Sequence, residues 1–287
     1  MTLVIAEPGC THEGDYDALC RLVVTAHTCG ADVWKPQWVS DPAAMCERRH
    51  IGIDHPQRAY YERAYTWLAF PVAWHTPFRA YCHAVGMRYA CTVFLPQDVA
   101  TLAPRVDYLK ISSFEAEDQA LVRAAMLAKP GHKPEHSGVF DANVIVSTGM
   151  MEQAIDYRVW DSGRCLTPAF VLHCTSSYPA PLASLNLSVL GDEYASRYGG
   201  LSDHSRHLLT GAVAVGCGAR VIETHYRLDD CDPQNPDYPV AFTPAEFAQY
   251  IRHIRDAEMM LGDGIKQVQP CEAAMLPYRV VTSPVLP

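Results

Sequence analysis

The sequence predicts an α/β protein in which a single domain forms a (β/α)8 (TIM) barrel, and three observations carry this prediction. Short apolar runs alternate with segments of helical spacing from one end of the chain to the other. Eight such runs are present, and strands that alternate with helices of this length pair in parallel. Eight units within about 260 residues favour a closed barrel over an open, doubly wound sheet. We expect the barrel to span residues 1–265 and a tail to span residues 266–287.

Each predicted element is supported by its apolar pattern and by the residues at its ends. The predicted strands are Leu3–Ala6, Asp32–Lys35, Arg88–Thr92, Tyr108–Ile111, Asn143–Ser147, Ala169–His173, Gly199–Leu201 and Arg220–Glu223. Helical spacing predicts helices over Tyr16–Cys29, Phe78–Val85, Asp118–Ala128, Ala183–Tyr198, His207–Cys217 and Pro244–Leu261. Gly30 and Gly218 suit the left-handed position that ends a helix. Thr243 to Glu246 combine an N-cap residue with an early proline, which is typical of a helix start.

Three segments do not fit the repeating pattern. Ser40 to His75 is longer than a usual βα connection and rich in aromatic and arginine residues, so we expect a lid or a short extra helix over the barrel. Pro130–Ala142 is a polar insertion rich in glycine and proline. The tail Pro270–Pro287 contains four prolines without clear periodicity, which predicts an extended strap or a disordered end.

Composition and charge exclude several classes of protein. Of the 287 residues, 49% are hydrophobic and 19% are charged, which is ample for a packed core. The formal net charge of −9 argues against a nucleic-acid partner. No apolar run approaches the roughly 18 residues of a membrane helix. The 11 cysteines form no CxxC pair, so neither a zinc ribbon nor a disulfide framework is indicated. We expect no signal peptide and a cytoplasmic location.

The carboxyl ends of the predicted strands carry many polar residues. Active sites of TIM barrels lie at this rim, so these residues should meet in one mouth. They are Glu7, Lys35, Gln37, Thr92, Lys110, Ser113, Glu115, Ser147, Ser176, Tyr178, Ser202, His204 and His225. Lysines, hydroxyls and histidines at one rim indicate a site for a phosphorylated small molecule together with a metal ion.

The metal prediction depends on the spacing of His204 and His225. They are 21 residues apart, the length of one helix plus one strand, so they should emerge from neighbouring strands. Neutral imidazoles suit Mn²⁺, Fe²⁺, Co²⁺ or Zn²⁺, and the scarcity of carboxylates leaves positions open for substrate oxygens. Two other interpretations stay open: each histidine only hydrogen-bonds within its loop, or His204 pairs with His207 at a helix start.

The phosphate prediction depends on two lysines and a set of hydroxyls. Lys35 and Lys110 point into the same mouth, where serines from neighbouring loops can donate. Such groups form phosphate sites in proteins without a Walker loop. The chain has neither GxxxxGK[ST] nor GxGxxG, so nucleotide hydrolysis and dinucleotide binding lose support. The alternative is that the serines cap helices. The acidic loop over 229–237 fits either a solvated surface or a contact to sugar hydroxyls.

Taken in order, eight motifs resemble those of the sialic acid synthase family, enzymes that condense phosphoenolpyruvate with an N-acetylated amino sugar. The motifs are IAEPGCTHEGD (5–15), KPQ (35–37), KISSFE (110–115), STGM (147–150), HCTSSYPAP (173–181), GLSDHS (200–205), VIETH (221–225) and NPD (235–237). The match spans residues 3 to about 262, and the motifs fall on the predicted strands in the right order.

The resemblance implies a role for each matching residue. His204 and His225 would bind a divalent metal, which is manganese in most of this family. The phosphate and carboxylate of phosphoenolpyruvate would be held by Lys110, Ser113, Ser147, Ser176, Ser202 and Thr92. Contacts to the acceptor or to a metal-bound water would come from Lys35 and Gln37. Glu7 and Glu115 would lie near the reacting carbons. The sugar would be contacted by Tyr178 and Asp237.

The implied reaction is a metal-dependent condensation that gives a 2-keto acid and inorganic phosphate. Carbon 3 of phosphoenolpyruvate attacks the aldehyde, water adds at carbon 2 with the help of Glu115 or Glu7, and phosphate leaves by C–O cleavage. Thr11, Glu13 and Phe114 replace two asparagines and a glycine of the family motifs. We also expect no counterpart of the family's C-terminal antifreeze-like (SAF) domain, because only about 25 residues follow the last predicted helix. The acceptor stays open among amino sugars, other sugars and sugar-derived aldehydes.

Two other functions stay open. The first is an aldolase on the same barrel, with Lys110 or Lys35 as a Schiff-base nucleophile. The second is a non-catalytic barrel that binds a phosphosugar or assembles with a partner. For the main interpretation we expect small-molecule substrates and no nucleic acid or membrane partner. A homodimer is left open as the oligomeric state.

Overall fold

The computed structural model describes residues 1–129, 139–152, 157–161, 164–191 and 199–280. Three sequence predictions fall partly outside these residues. They are the insertion Pro130–Ala142 as far as residue 138, the helix Ala183–Tyr198 beyond Gly191, and the tail beyond Val280.

Ten strands are present among the described residues, and eight of them run parallel and close into a barrel. The strands are β1 (Leu3–Glu7), β2 (Val33–Trp34), β3 (Gln37–Trp38), β4 (Arg88–Val93), β5 (Tyr108–Ile111), β6 (Val139–Ser147), β7 (Val159–Asp161), β8 (Arg164–Cys174), β9 (Gly199–Asp203) and β10 (Val221–His225). The barrel order is β1, β2, β4, β5, β6, β8, β9 and β10, and β10 returns to β1 with Val221 opposite Leu3. β3 follows β2 and pairs with β4, while β7 pairs antiparallel with β8. All eight predicted strands are present, which confirms the TIM barrel.

The connecting helices agree with the sequence at their best-marked ends. They are α1 (Tyr16–Cys29), α2 (Pro42–Arg48), α3 (Arg58–Leu68), α4 (His75–Ala84), α5 (Val99–Leu102), α6 (Gln119–Ala128), α7 (Thr210–Gly216) and α8 (Pro244–Leu261). Gly30 follows α1 with a φ of 92°, and Thr243 and Glu246 form a capping box at the start of α8. Within the described part of the chain, no helix is long and apolar enough to cross a membrane.

The predicted helix over Ala183–Tyr198 is wrong in its described part. Two short 3-10 segments take its place, Leu182–Ser184 and Leu187–Gly191. Asn186 lies between them with a φ of 45°, in the left-handed region, so a right-handed helix cannot continue through it. The helix predicted over His207–Cys217 corresponds to α7, which begins only at Thr210.

The inside of the barrel changes from apolar to polar along the strands. An apolar cluster fills its lower part and consists of Ile5, Val33, Ala90, Ile145, Leu172 and Val221. Successive residues of a strand point to opposite faces, so the next inward position lies two residues further on. Those positions are Glu7, Lys35, Thr92, Ser147, Cys174 and Glu223. The floor of the mouth is therefore apolar, and its walls carry the polar groups.

The predicted lid between Ser40 and His75 contains α2 and α3. A second apolar cluster joins it to the barrel loops and consists of Cys10, Val39, Met45, Leu68, Phe94 and Leu95. Asp41 caps α2 by accepting a hydrogen bond from the backbone N–H of Ala44 at 3.0 Å. The lid is thus a packed cover with its own helices.

Candidate active site

A cavity of about 620 Å³ opens at the carboxyl ends of the strands, beneath the lid. Twelve of the fourteen predicted site residues line it: Glu7, Lys35, Gln37, Thr92, Lys110, Ser113, Ser147, Tyr178, Ser202, His204, His225 and Asp237. The other two, Glu115 and Ser176, lie next to residues of this wall. Glu115 is paired with Arg49, and the Oγ atom of Ser176 lies beside Gly149.

Glu223 connects the two lysines at the deep end of the cavity. Its Oε1 atom accepts hydrogen bonds from Ser202 Oγ at 2.9 Å and from Lys110 Nζ at 3.2 Å. Its Oε2 atom lies 3.5 Å from Lys35 Nζ. Burial would raise the pKa of Glu223, but Lys110 and Lys35 outweigh it and lower that pKa to about 2. The carboxylate is therefore ionised at neutral pH and holds both ammonium groups in the site.

Lys35 is the most enclosed cation of the cavity, with 1% of its surface exposed. Its Nζ atom donates to Glu7 Oε2 and, at 2.9 Å, to Thr92 Oγ1. Burial lowers the pKa of Lys35 to about 8, although Glu223 opposes this shift. A lysine with such a pKa can give up a proton near neutral pH more readily than an exposed one.

Two serine hydroxyls, those of Ser113 and Ser176, meet at Gly149 in the wall of the cavity. Ser113 Oγ accepts a hydrogen bond from the backbone N–H of Gly149 at 3.0 Å. A Cβ atom at Gly149 would lie 2.2 Å from Ser176 Oγ, so only glycine permits this close approach. Ser147 Oγ is buried without a hydrogen-bond partner among the described residues. A buried hydroxyl of this kind is suited to a polar ligand group.

His204 and His225 lie side by side at the ends of β9 and β10. Their ring centroids are 5.5 Å apart. His204 Nδ1 donates to the backbone carbonyl of Thr175 at 3.1 Å, so in the neutral ring the lone pair is on Nε2. His225 Nδ1 is buried without a hydrogen-bond partner in the described structure. Burial lowers the pKa of His225 to about 4, so its ring is neutral at pH 7.

These two imidazoles fit a divalent metal ion that takes its other ligands from outside the protein. Their spacing allows both rings to reach one ion, and the unpartnered Nδ1 of His225 is an unsatisfied donor or acceptor. Among the described residues, no group of three or more His, Cys, Asp or Glu could hold a metal. Water or substrate oxygens would therefore complete the coordination.

Tyr178 and Asp237 lie next to the histidine pair. The ring of Tyr178 is 4.3 Å from that of His204, and Asp237 Oδ1 is 3.9 Å from His225 Nδ1. Asp237 Oδ2 accepts a hydrogen bond from Cys10 N at 2.7 Å. A Cβ atom at Gly9 would lie 2.0 Å from this oxygen, and Gly9 has a φ of 55°, so glycine is required there.

The two polar departures in the first motif stabilise its loop. Thr11 Oγ1 donates to the carbonyl of Pro8 at 2.7 Å. Glu13 accepts from Asn235 Nδ2 at 3.3 Å, and its φ is 52°. Neither side chain is among the described residues that line the cavity. These substitutions therefore tie the loop to the segment that carries Asp237 and leave the cavity wall unchanged.

The lid forms the outer wall of the cavity. Its aromatic and polar residues in the cavity wall are Arg49, His55, Gln57, Tyr60, Tyr61 and Tyr65, and its apolar ones are Met45, Ile51, Ala64 and Leu68. Phe114, the third departure from the family motifs, faces them from the β5–α6 loop with 53% of its surface exposed. Burial raises the pKa of Glu115 next to it, and Arg49 opposes that shift.

The comparison with known families decides the classification. The sequence profile of the NeuB family matches residues 22–266, most of the chain. The chain belongs to the NeuB family.

Several relatives of this NeuB-family chain are named as sugar-acid synthases. It is 30% identical to the N,N'-diacetyllegionaminic acid synthase of Legionella pneumophila, over 97% of this chain and 77% of that one. It is 31% identical to a pseudaminic acid synthase of Campylobacter jejuni, over 91% and 75%. It is 27% identical to the human N-acetylneuraminate-9-phosphate synthase, over 94% and 74%. The predicted resemblance and the prediction of an enzyme, a carbon–carbon bond-forming transferase, are confirmed.

Solved structures agree on the fold. The sialic acid synthetase of Leptospira borgpetersenii, crystallised with citrate, superposes with a TM-score of 0.74 over 97% of this chain and 91% of that one, at 23% identity. The spore coat polysaccharide biosynthesis protein SpsE of Bacillus subtilis superposes with a TM-score of 0.67 at 25% identity, over 94% and 72%. The barrel of this NeuB-family chain is thus shared with them.

Sequence reasoning missed two charged residues of the NeuB-family site. Glu223 was assigned to a strand, although it lies two residues after the inward-facing Val221, and this spacing of two could have identified it. Arg49 had no comparable signal, because it follows a lid helix whose docking on the rim cannot be read from local spacing.

Proposed function

We propose that this NeuB-family chain condenses phosphoenolpyruvate with an aldehyde, giving a 2-keto acid and inorganic phosphate. The acceptor is an amino sugar, another sugar or a sugar-derived aldehyde, and the product is a sialic-acid-like or other high-carbon sugar acid. The observation that carries the proposal is one cavity in which Lys35, Lys110 and Glu223 adjoin two neighbouring imidazoles. The names of the relatives support the same class of product.

Phosphoenolpyruvate takes the deep end of the cavity in this proposal. The residues that bind it are Lys110, Ser113, Ser147, Ser176, Ser202 and Thr92. Support comes from the closeness of the Ser113 and Ser176 hydroxyls and from the unpartnered Ser147 Oγ. Lysines and hydroxyls together suit a phosphate and a carboxylate on one small molecule.

His204 and His225 are the proposed ligands of a divalent metal ion, Mn²⁺ in our assignment. Such an ion, when bound, supplies Lewis acidity to a carbonyl oxygen. The protein prepares the site by keeping His225 neutral and by fixing His204 through its hydrogen bond to Thr175.

The remaining polar residues bind the acceptor and move protons. Tyr178 and Asp237 contact the acceptor, and Gln37 orients it together with Lys35. Lys35 Nζ, whose pKa is about 8, supplies the proton that the aldehyde oxygen takes up.

The carbon–carbon bond forms between carbon 3 of phosphoenolpyruvate and the aldehyde carbon. Water then adds at carbon 2 and gives its proton to Glu7 or Glu115. Collapse of the tetrahedral centre breaks the bond between carbon 2 and the oxygen that bridges it to phosphorus. This releases inorganic phosphate. Proton transfer of this kind contributes about 10²–10⁴-fold to the rate.

We also propose that the protein acts in the cytoplasm on small molecules, without a nucleic-acid partner. All eleven cysteines lie in the described ranges and are free, which supports a reducing compartment. Cell fractionation tests the location, and light scattering tests whether the chain forms a homodimer.

The test is to incubate the protein with Mn²⁺, phosphoenolpyruvate and a panel of aldehydes and to follow inorganic phosphate. We expect phosphate release that requires an aldehyde and stops in EDTA. Release without any aldehyde, or none with every aldehyde of the panel, would contradict the proposal.

A Schiff-base aldolase is the second candidate, because Lys35 has a lowered pKa. Borohydride with substrate would trap a lysine adduct in that case, and full activity in EDTA would accompany it. The salt bridges of Lys35 with Glu7 and Glu223 favour its ammonium form and hence the condensation.

A further inference from the structure

Arg49 occupies a place in the cavity wall that the proposed reaction does not use. It directly follows α2, and its Nη2 atom lies 2.7 Å from Glu115 Oε1. Its guanidinium carbon lies 4.2 Å from the ring centroid of Phe114. A planar guanidinium held by a carboxylate on one side and an aromatic face on another has a fixed orientation.

The surroundings of Arg49 fix it more firmly than a surface residue. The neighbouring Arg48 forms an ion pair with Asp118, the N-cap residue of α6, so the end of α2 is attached to the β5–α6 loop twice. Ser112 Oγ donates to the other oxygen of Glu115. The Arg49 side chain is 17% exposed, whereas that of Glu115 is 1% exposed. Only Arg49 of this pair lines the cavity.

Arg49 has hydrogen-bonding capacity to spare. A guanidinium carries five N–H donors, and the ion pair with Glu115 engages only part of them. Tyr65 of α3 adjoins it, and Tyr60 and Tyr61 continue the same wall. Aromatic faces beside directed donors are suited to a polyhydroxylated molecule, which has both C–H and oxygen surfaces.

The positive charge of Arg49 is compensated by the neighbouring carboxylate of Glu115. Among the described cavity residues, Arg49 is the cation of the lid end and is paired with Glu115, whereas Lys35 and Lys110 lie at the deep end. Asp237 adds a further negative charge to the wall near the histidines. A phosphate group on the acceptor would therefore meet no uncompensated cation at the lid end.

We propose that Arg49 is a further acceptor-binding residue, which Glu115 and Phe114 hold in the cavity wall and whose charge Glu115 cancels. It donates hydrogen bonds to neutral oxygen atoms of the acceptor and discriminates against an acceptor that is phosphorylated at the lid end. The inference rests on the proposed function, because it identifies the outer half of the same cavity as the acceptor site.

The test uses alditols, which lack the aldehyde and cannot condense. Binding of a hexitol, an N-acetylhexosaminitol and their 6-phosphates to the protein with Mn²⁺ and phosphoenolpyruvate is measured by calorimetry. We expect wild type to bind at least one unphosphorylated alditol at least tenfold more tightly than its phosphate. Arg49→Gln should raise the Kd of that alditol at least tenfold and leave the Kd of phosphoenolpyruvate within twofold of the wild-type value.

The matched control is Arg48→Gln, which removes the same charge from the neighbouring position outside the cavity lining. It should change alditol binding less than twofold. Equal losses in both variants would assign Arg49 only to the attachment of the lid and would overturn the proposal. Failure of all four compounds to bind wild type would overturn it as well.

Glu115→Gln tests directly whether Glu115 compensates the charge of Arg49. Arg49 would then be a free cation, so the preference for the unphosphorylated alditol should shrink at least fivefold or reverse. The Arg49→Gln, Glu115→Gln double variant removes both charges. It should again prefer the unphosphorylated alditol, but bind it more weakly than wild type. An unchanged ratio in Glu115→Gln overturns the inference, whereas the aldehyde panel with phosphoenolpyruvate tests the proposed function separately.

Discussion

Glu223 links both lysines of the deep cavity, whereas Glu7 pairs with Lys35 alone. Glu223 contacts Lys110 and Lys35 directly, and Ser202 donates a third interaction. Buried ammonium groups without such a partner would lose protons or turn outward, since burial disfavours their charged form. The site can therefore present two lysines to an anion in a protein whose net charge is −9.

Lys110→Met should raise the Kd of phosphoenolpyruvate at least tenfold, which corresponds to about 1.4 kcal/mol. The physical reason is the loss of one of the two buried cations while Glu223 remains. Calorimetric titration measures the change, and Lys266→Met, an exposed site in the tail, is the control. A Kd within twofold of wild type would remove Lys110 from the binding site.

His225→Ala should abolish phosphate release, and added Mn²⁺ should not restore it. The variant keeps a single imidazole at the rim, which is too few protein ligands for firm binding. Electron paramagnetic resonance of free Mn²⁺ should show at least tenfold weaker binding. His207→Ala is the control, because His207 belongs to the alternative metal pair with His204. A larger loss of Mn²⁺ binding in His207→Ala than in His225→Ala would contradict our assignment.

At the scale of elements, aromatic packing attaches the start of α4 to the lid and to the barrel. α4 begins at His75, which is fully buried among Trp38, Phe70 and Tyr89. Its Nδ1 pairs with the Tyr89 hydroxyl at 2.7 Å. Burial, with a smaller contribution from Arg105, lowers the pKa of His75 from 6.5 to about 3.

This shift predicts acid sensitivity. The folded state keeps His75 neutral, whereas the unfolded state takes up a proton below pH 6.5, so the free energy of unfolding falls as the pH decreases from about 6.5 to 3. His75→Phe should cost about 1 kcal/mol at pH 7, since it leaves the Tyr89 hydroxyl unpaired. It should also flatten the decrease below pH 6.5.

Urea unfolding at several pH values measures this effect. The exposed His27→Gln on α1 is the control and should keep the wild-type slope. Parallel pH curves for wild type and His75→Phe would refute the account of His75.

At the scale of the whole molecule, Gly200 allows β9 to pack closely against its neighbours β8 and β10 in the barrel. A Cβ atom there would lie 2.6 Å from the carbonyl oxygen of Val221 and 2.6 Å from Leu172 Cδ2. The first contact is with backbone, which cannot move without disturbing the pairing of β9 with β10.

Gly200→Ala should therefore destabilise the protein by about 1–3 kcal/mol. The matched change is Gly216→Ala at the end of α7, where a Cβ atom meets nothing within 4 Å. That control should be neutral or stabilising by up to about 1 kcal/mol. Thermal or urea unfolding measures both, and equal stability of the two variants would contradict the packing argument.

The barrel could be predicted from the sequence because eight short apolar runs alternate with segments of helical spacing. Because the carboxyl ends of the barrel strands share one rim, that pattern also predicts that Lys35, Lys110 and the two histidines meet in one mouth, as they do. The pairing of Arg49 with Glu115 could not be predicted, because it joins segments that are 66 positions apart through the packing of the lid. The helix predicted after Ala183 is wrong for a different reason: the apolar spacing there is helical, but Asn186 adopts a positive φ that ends a right-handed helix.

Phosphoenolpyruvate labelled with ¹⁸O in the oxygen that bridges carbon 2 and phosphorus tests the central claim most directly. In the presence of Mn²⁺ and a productive aldehyde, the account predicts that the label appears in inorganic phosphate, because the C–O bond breaks. Retention of the label in the keto acid, or phosphate release that is independent of the aldehyde, would contradict it.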